Sequence, residues 1–373
     1  MAKAAKKTAK PKSDDPSVVV IGDHPAAHVA ALKLHQQKAS VALADPQSIV
    51  NGDRLVHLNP DLFKLLPSLK DLAVHLDATE LLAVRFHGEG GSVADTTATF
   101  EKEASPLVVR LDALRNALRR HVDEAGIPRT SGKVAVGAVD ESGVTLQLGR
   151  SAVKPRLVLV SDPLDDTSRD VLQAQRPTPR DVMATAAVEA PEDATQAHAG
   201  LGLAGGDGWG TLIAHAGVGQ ITVFAPAAKA GEALSDFTER LVLGGVLPRG
   251  TSIDGRTVRT TPVALGGALE RDAVARHTLL IGPAGGFESI IGEDVYPGAW
   301  SGVYAGTVAA KAAKAEHVQD ALAAYRTAWG GTLGEYLQGP RQNLRFLLPL
   351  VFKNPVMTDR MADALFRGRS LVR

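Results

Sequence analysis

Residues 18–27 read VVVIGDHPAA, and this stretch decides the fold. The run Ser17–Ile21 is largely apolar, as expected of a strand that is buried on both faces of a parallel sheet. Apolar residues at helical spacing follow over 25–38, and a second short apolar run, Val41–Ala44, ends at Asp45. A strand, a glycine turn, a helix and a second strand form a β-α-β unit. The sequence therefore predicts an α/β fold that begins with a Rossmann-like unit and has a mainly parallel sheet.

The turn of this unit keeps part of the dinucleotide-binding fingerprint. Gly22 occupies the position where a glycine makes the turn, and Ala27, preceded by Ala26, occupies the position where a small residue lets helix and strand pack. Asp45 lies 23 residues after Gly22, where an acid would bind ribose hydroxyls. His24 replaces the middle glycine, which normally lets backbone amides approach a pyrophosphate. Strand–helix packing alone could also explain Gly22 and Ala27, and Asp45 could be a solvated strand end.

A second segment, residues 278–302, reads TLLIGPAGGFESIIGEDVYPGAWSG. It resembles the geranylgeranyl reductase branch of the flavin-dependent hydroxylase, halogenase and reductase superfamily. That family shows a strand, then G-D-A-A-G-F, then G-E-G-I, and S-G in the following helix; here 282–287 read GPAGGF, 292–295 read GEDV and 301–302 read SG. The resemblance implies an FAD-dependent oxidoreductase in which Gly282 and Gly292 contact the cofactor.

Two further segments extend the resemblance. Residues 108–118 read VVRLDALRNAL, and Arg110 matches an arginine that family members direct at the flavin. Residues 157–169 resemble the strand and D-G segment that position the cofactor, with Asp162 as the acid. The resemblance therefore implies an FAD site made of eight residues: Gly22, Ala26, Ala27, Asp45, Arg110, Asp162, Gly282 and Gly292. It names no catalytic acid or base, and the sequence predicts no metal site.

Four positions depart from the family pattern, and all four would face the cofactor. His24 replaces a glycine, Pro163 replaces the glycine of D-G, Pro283 replaces the aspartate of G-D, and Asp294 replaces the second glycine of G-E-G. Two hypotheses follow. The first is an FAD-dependent oxidoreductase that acts on an apolar isoprenoid or aromatic substrate. The second is a non-catalytic relative that has lost FAD and works as a binding or interaction protein.

The pattern along the chain predicts a discontinuous cofactor domain. Residues 17–170 and 263–330 would form the FAD-type dinucleotide-binding domain, and 171–262, with short runs between Gly- and Pro-rich turns, would form an inserted antiparallel substrate domain. We expect a helical C-terminal segment over 331–373. Residues 1–16, rich in lysine and alanine, are predicted to be a disordered tail.

Composition excludes several kinds of site and partner. The chain has 373 residues and no cysteine, which removes disulfides, cysteine–zinc sites, iron–sulfur clusters and cysteinyl-flavin. Lys+Arg and Asp+Glu are 41 each, so no specific nucleic-acid binding is expected. Without a secretory signal or a long apolar run, we expect a soluble cytoplasmic protein. Contact of the Lys-rich tail with a membrane surface and the oligomeric state stay open.

Overall fold

The computed structural model describes residues 15–45, 54–97, 100, 104–175, 178–206, 208–253, 258–289, 291–338 and 344–369. The predicted tail lies outside the described residues up to position 14. The strands, in chain order, are β1 (Val18–Ile21), β2 (Val41–Asp45), β3 (Leu55–Leu58), β4 (Thr79–Glu80), β5 (Ala83–His87), β6 (Val93–Asp95), β7 (Leu107–Arg110), β8 (Arg129–Ser131), β9 (Val134–Asp140), β10 (Gly143–Leu148), β11 (Ser151–Val153), β12 (Leu157–Val160), β13 (Asp181–Glu189), β14 (Gln196–Leu203), β15 (Gly208–His215), β16 (Val218–Pro226), β17 (Arg259–Val263), β18 (Val274–Ala275) and β19 (Thr278–Leu280).

The helices, in the same order, are α1 (Pro25–Gln36), α2 (Leu111–Glu124), α3 (Asp166–Leu172), α4 (Ala230–Leu243), α5 (Gly267–Glu270), α6 (Gly282–Gly285), α7 (Val295–Ala312), α8 (Val318–Leu322), α9 (Ala324–Gly330), α10 (Leu333–Gln338), α11 (Leu344–Val351) and α12 (Pro355–Arg367). Short 3-10 helices lie at Pro60–Lys64, Pro67–Leu69, Leu72–His75, Glu89–Gly91 and Ala227–Lys229. The predicted α/β class with C-terminal helices is confirmed.

The N-terminal sheet is mainly parallel, as predicted. Among the described residues it has six strands in the order β18-β19-β12-β1-β2-β8, and every neighbouring pair except β18 and β19 is parallel. The central strands β1 and β12 are buried along their whole length, which explains their unbroken apolar sequence. The carboxyl ends of β1, β2 and β12 therefore lie side by side, where ligands of open α/β sheets bind.

Helices α1 and α7 pack closely because two glycines of α7 leave room for α1. A β-carbon on Gly302 would lie 2.5 Å from the backbone oxygen of Ala26, and one on Gly306 would lie 2.9 Å from Cβ of Lys33. Ser301, which precedes Gly302, accepts the N–H of Gly282 at 2.9 Å and donates to the carbonyl of Gly298 at 2.6 Å. These contacts hold the start of α6 against α7.

A second, larger sheet carries the antiparallel part of the fold. Its order is β17-β13-β16-β15-β14-β5-β6 over the described strands, and only β14 and β5 pair in parallel. Two of its strands come from 83–95, outside the range 171–262. One face packs on α4, and the other packs on residues of α11 and α12. No helix within the described ranges is long and apolar enough to cross a membrane.

Candidate functional site

In the turn after β1, the backbone N–H groups that a pyrophosphate would need are already hydrogen-bonded within the protein. The carboxylate of Asp162 accepts the N–H of Asp23 at 2.9 Å and that of His24 at 3.2 Å. Pro25, the first residue of α1, has no N–H, and the N–H of Ala26 donates to Nδ1 of His24 at 3.1 Å. The next N–H, on Ala27, bonds to the carbonyl of His24 at 2.8 Å. A helix N-terminus is normally an anion site, but this one is satisfied by the chain itself.

The imidazole of His24 fills the space between the start of α6 and the first turn of α7. A β-carbon on Gly282 would lie 2.9 Å from its Nδ1, and one on Gly298 would lie 2.6 Å from its Cε1. His24 is only 2% exposed. The glycines at 282 and 298 therefore admit a side chain of the same protein.

Asp294 and Arg54 lie next to the His24 ring and occupy more of the same region. Oδ2 of Asp294 lies 3.6 Å from Nε2 of His24 and 2.5 Å from Nη2 of Arg54. Although burial alone would raise the pKa of Asp294, Arg54 and His24 hold that pKa well below its usual range. Asp294 is therefore ionised. Its charge is compensated by the Arg54 guanidinium, and the resulting ion pair lies beside His24.

Asp45, at the position predicted to bind ribose hydroxyls, belongs to an ion-pair network with Asp23 and the arginines of α2 and β8. We call this region the ribose end of the site. Arg119 of α2 donates through Nη2 to Oδ1 of Asp23 at 2.6 Å and through Nε to Oδ2 of Asp45 at 3.2 Å. Arg115 and Arg129 lie 3.6 Å and 3.9 Å from Asp23 and Asp45. Asp45 is 1% exposed, so it is not a solvated strand end. Burial outweighs the nearby arginines at Asp23 and raises its pKa to about 6.

The loop before α7 is covered by the antiparallel sheet. A β-carbon on Gly292, whose φ is +79°, would lie 2.0 Å from the ring of Phe224, and Phe224 stacks on Trp209 with ring centroids 5.1 Å apart. Glu293 is 4% exposed, and its Oε1 accepts the N–H of Tyr296 at 2.7 Å. Its Oε2 lies 2.8 Å from the hydroxyl of Tyr336. Burial raises the pKa of Glu293 to about 8.

The remaining predicted residues lie around this closed region. Ala26 and Ala27 are fully buried, and Gly282 opens α6 with a φ of +51°, directly before Pro283. Arg110 differs, because it is exposed at the junction of β7 and α2. The structure thus brings seven of the eight predicted residues to the carboxyl edge of the parallel sheet or to the loop beside it.

Several residues that close the site were not singled out in the sequence. Arg115 and Arg119 are one turn apart on α2, the helix that follows Arg110, and that spacing was a usable signal. Pro25 was a second signal, because proline at the start of a helix removes a donor. Arg54 and Phe224 carried no signal, since they reach the site from distant parts of the chain.

Comparisons with known proteins agree with this architecture. No protein-family model matches the sequence, and no curated protein matches it. A geranylgeranyl bacteriochlorophyll reductase-like protein from Thermoplasma acidophilum is similar in structure, with a TM-score of 0.71 and 14% identity over 96% of this chain and 97% of that one. A flavoprotein/dehydrogenase from Cytophaga hutchinsonii gives a TM-score of 0.67 at 16% identity, covering 95% and 92% of the two chains.

A probable FAD-dependent monooxygenase from Pseudomonas aeruginosa is also similar, with a TM-score of 0.66 and 15% identity over 93% of this chain and 99% of that one. The chain therefore shares its fold with these three solved structures, one of which is a probable FAD-dependent monooxygenase. At such identities the likeness concerns the fold, and the side chains decide the chemistry.

The described residues do not fit FAD bound in the manner of the superfamily that the sequence resembles. The amides at the start of α1 have partners within the protein, and the His24 ring fills the space between the start of α6 and the first turn of α7. No reaction step through a flavin can be derived from this arrangement. Within the described ranges, no group of three or more His, Asp or Glu side chains is placed to hold a metal ion.

Proposed function

We propose that this chain keeps the flavoprotein fold without holding FAD in the position that the fold provides, and that it works as a binding or interaction protein. The observation that carries the proposal is the buried His24 ring, which lies between Gly282 and Gly298 and caps α1. A ring at this place uses the donor and the volume that a pyrophosphate requires.

FAD would have to displace hydrogen bonds that the protein makes within itself. Each charged hydrogen bond that is broken or never formed costs roughly 1.5–3 kcal/mol. Pro283 offers no carboxylate to the cofactor, and the Asp162 carboxylate already holds two amides of the turn. Two such losses weaken binding by about a thousandfold.

The second candidate is an FAD-dependent oxidoreductase, similar to geranylgeranyl reductases, that acts on an apolar isoprenoid or aromatic substrate. Two kinds of observation support it: the fold likeness over nearly the whole chain, and the retained framework of Gly22, Asp45 and Gly282. It requires the contacts of His24, Asp162 and Arg119 to open before FAD enters. The first candidate rests on these contacts, and the second rests on the fold likeness.

The experiment that separates the candidates is the visible absorption spectrum of the purified full chain after incubation with excess FAD and desalting. We expect the wild type to retain no flavin absorption. The combined variant His24→Gly, Pro163→Gly, Pro283→Asp restores three family residues and is expected to retain FAD. His35→Gly, in the exposed last turn of α1, is the matched control and should behave as the wild type.

The spectrum of the wild type distinguishes the two candidates even if the combined variant does not fold. One FAD retained per wild-type chain would overturn the proposal and establish the second candidate's cofactor. Flavin uptake by His35→Gly as well as by the combined variant would mean that loosening of α1, rather than space at position 24, admits the cofactor.

A further inference from the structure

A polar cavity lies between the 3-10 helix Pro60–Lys64 and the end of α12. Its volume is about 310 Å³, which is within the range of small-molecule sites. The residues that line it are Asn59, Pro60, Asp61, Lys64, Ala104, Arg367 and Arg369. Neither the predicted FAD residues nor those that close their site are among them.

The most deeply buried cation of this cavity is Arg367, in the last turn of α12. Its side chain is 6% exposed, and Nη1 donates to Oδ1 of Asp363, one turn earlier, at 2.9 Å. The guanidinium also lies 5.6 Å from the ring centroid of Phe100. An arginine held by a carboxylate and an aromatic ring keeps its fork in one orientation, which lowers the entropy cost of binding an anion.

The floor of the cavity is also fixed before any ligand arrives. Asn59 is 1% exposed, its Oδ1 accepts the N–H of Asp61 at 2.9 Å, and its Nδ2 donates to the carbonyl of Arg367 at 2.9 Å. This amide therefore joins the 3-10 helix to the end of α12, so that cations from both elements face one space. Lys64, in the same 3-10 helix, contacts Asp61 with Nζ 2.7 Å from Oδ1.

Among the described residues, the cavity is lined by three cations, Lys64, Arg367 and Arg369, and the carboxylates that contact them are Asp61 and Asp363. Guanidinium groups suit planar, bidentate recognition of carboxylate and phosphate oxygens. We propose that this cavity binds a small anion that carries a carboxylate or a phosphate group. The proposal does not depend on whether FAD binds, because it uses none of the same residues.

The test is isothermal titration calorimetry of the full chain with inorganic phosphate and, separately, with benzoate, each against sodium chloride at equal ionic strength. We expect at least one of the two anions to bind where chloride gives no heat of binding. Arg369→Ala removes an exposed cation from the lining and should weaken that binding about tenfold, as expected for a charge-assisted contact. Arg360→Ala, on an exposed part of α12 outside the lining, is the matched control and should bind like the wild type.

The two anions distinguish the two chemistries. Binding of phosphate alone assigns a phosphate ligand, binding of benzoate alone assigns a carboxylate, and binding of both assigns their shared anionic group. Lys64→Ala provides a second lining variant, with the same weakening expected, should Arg369→Ala not fold. The proposal is overturned if neither anion binds above chloride, or if Arg360→Ala weakens binding as much as the lining variants do.

Discussion

The pyrophosphate end of the dinucleotide framework and its ribose end are closed by different means. At the pyrophosphate end, a buried imidazole and a proline use the donors and the volume of the helix N-terminus. At the ribose end, Asp45 keeps the position of the ribose acid but pairs with Arg119 of α2. The first closure acts through shape and hydrogen bonding, and the second acts through charge. Added salt screens the partly exposed ion pair between Arg119 and Asp45, but it does not change the packing and hydrogen bonding of His24.

This difference teaches that the backbone and the side chains of a cofactor site can change separately. Gly22, with a φ of +129°, still makes the turn after β1, and Gly282, with a φ of +51°, still opens α6. Both glycines keep backbone angles that favour glycine, while the contacts around them are made by the protein's own side chains. Comparisons of fold report the course of the backbone and carry little information on the side chains of the site.

The largest loss of stability is expected from a change in the glycine turn after β1. Gly22→Ala would force a β-carbon to within 2.1 Å of Oγ of Ser161 and 2.9 Å of Cγ of Asp162, at a φ that side chains rarely adopt. Strain and overpacking together should lower the free energy of unfolding by about 4 kcal/mol, measured by urea denaturation. Gly90→Ala, at a positive φ in open space, is the control and should cost only about 1 kcal/mol. Equal losses for the two variants would contradict a special role of the Gly22 turn.

The second effect concerns the buried acid next to the pyrophosphate end. The pKa of Glu293 is raised from 4.5 to about 8, so its contribution to stability is complete below pH 4.5 and is lost as the pH rises to 8. Glu293→Gln stays uncharged at every pH and keeps the shape of the protonated acid. Relative to the wild type, it should therefore gain stability by about 3 kcal/mol between pH 5 and pH 8. Urea denaturation across this range measures the gain.

A parallel pH dependence of the two proteins would show that Glu293 is ionised in the folded state. Glu335→Gln is a suitable control, because its exposed carboxyl lies in the same C-terminal region and should leave the pH profile unchanged.

The smallest effect is expected at the ribose end. Arg119→Ala removes the guanidinium that joins Asp23 to Asp45 and should cost about 2 kcal/mol of unfolding free energy, reduced from the value for a fully buried pair because Arg119 is 24% exposed. The loss should shrink as NaCl is added. Arg129→Ala, whose guanidinium is 3.9 Å from Asp45, should cost less than 1 kcal/mol. If the loss of unfolding free energy in Arg119→Ala does not change with salt, the ribose end is held by shape and hydrogen bonding, as the region of His24 is, and not by charge.

Local sequence patterns predicted much of the framework. The apolar run before Gly22 and the helical spacing after it correspond to β1 and α1. These elements are short-range consequences of periodicity and turn residues. The departures at His24 and Asp294 were also visible, since each replaces a glycine with a side chain that needs space.

The partners of those departures could not be predicted from the sequence. Arg54 meets Asp294 across 240 residues of chain, and β5 joins β14 in a parallel pair across more than a hundred. Such contacts depend on the tertiary arrangement, which no window of local sequence contains. The same reason explains Arg110: its position in the sequence fits the family, but the turn into α2 leaves it exposed and brings Arg115 and Arg119 inward.

The His24 cap has a consequence for how this protein survives in a cell. A flavoprotein whose core is completed by a dissociable cofactor gains stability in proportion to the logarithm of the free cofactor concentration. A side chain that fills the same space is attached to the chain, so its local concentration does not change with metabolism. With His24 in this place, the folded population should be the same in flavin-starved and flavin-rich cells.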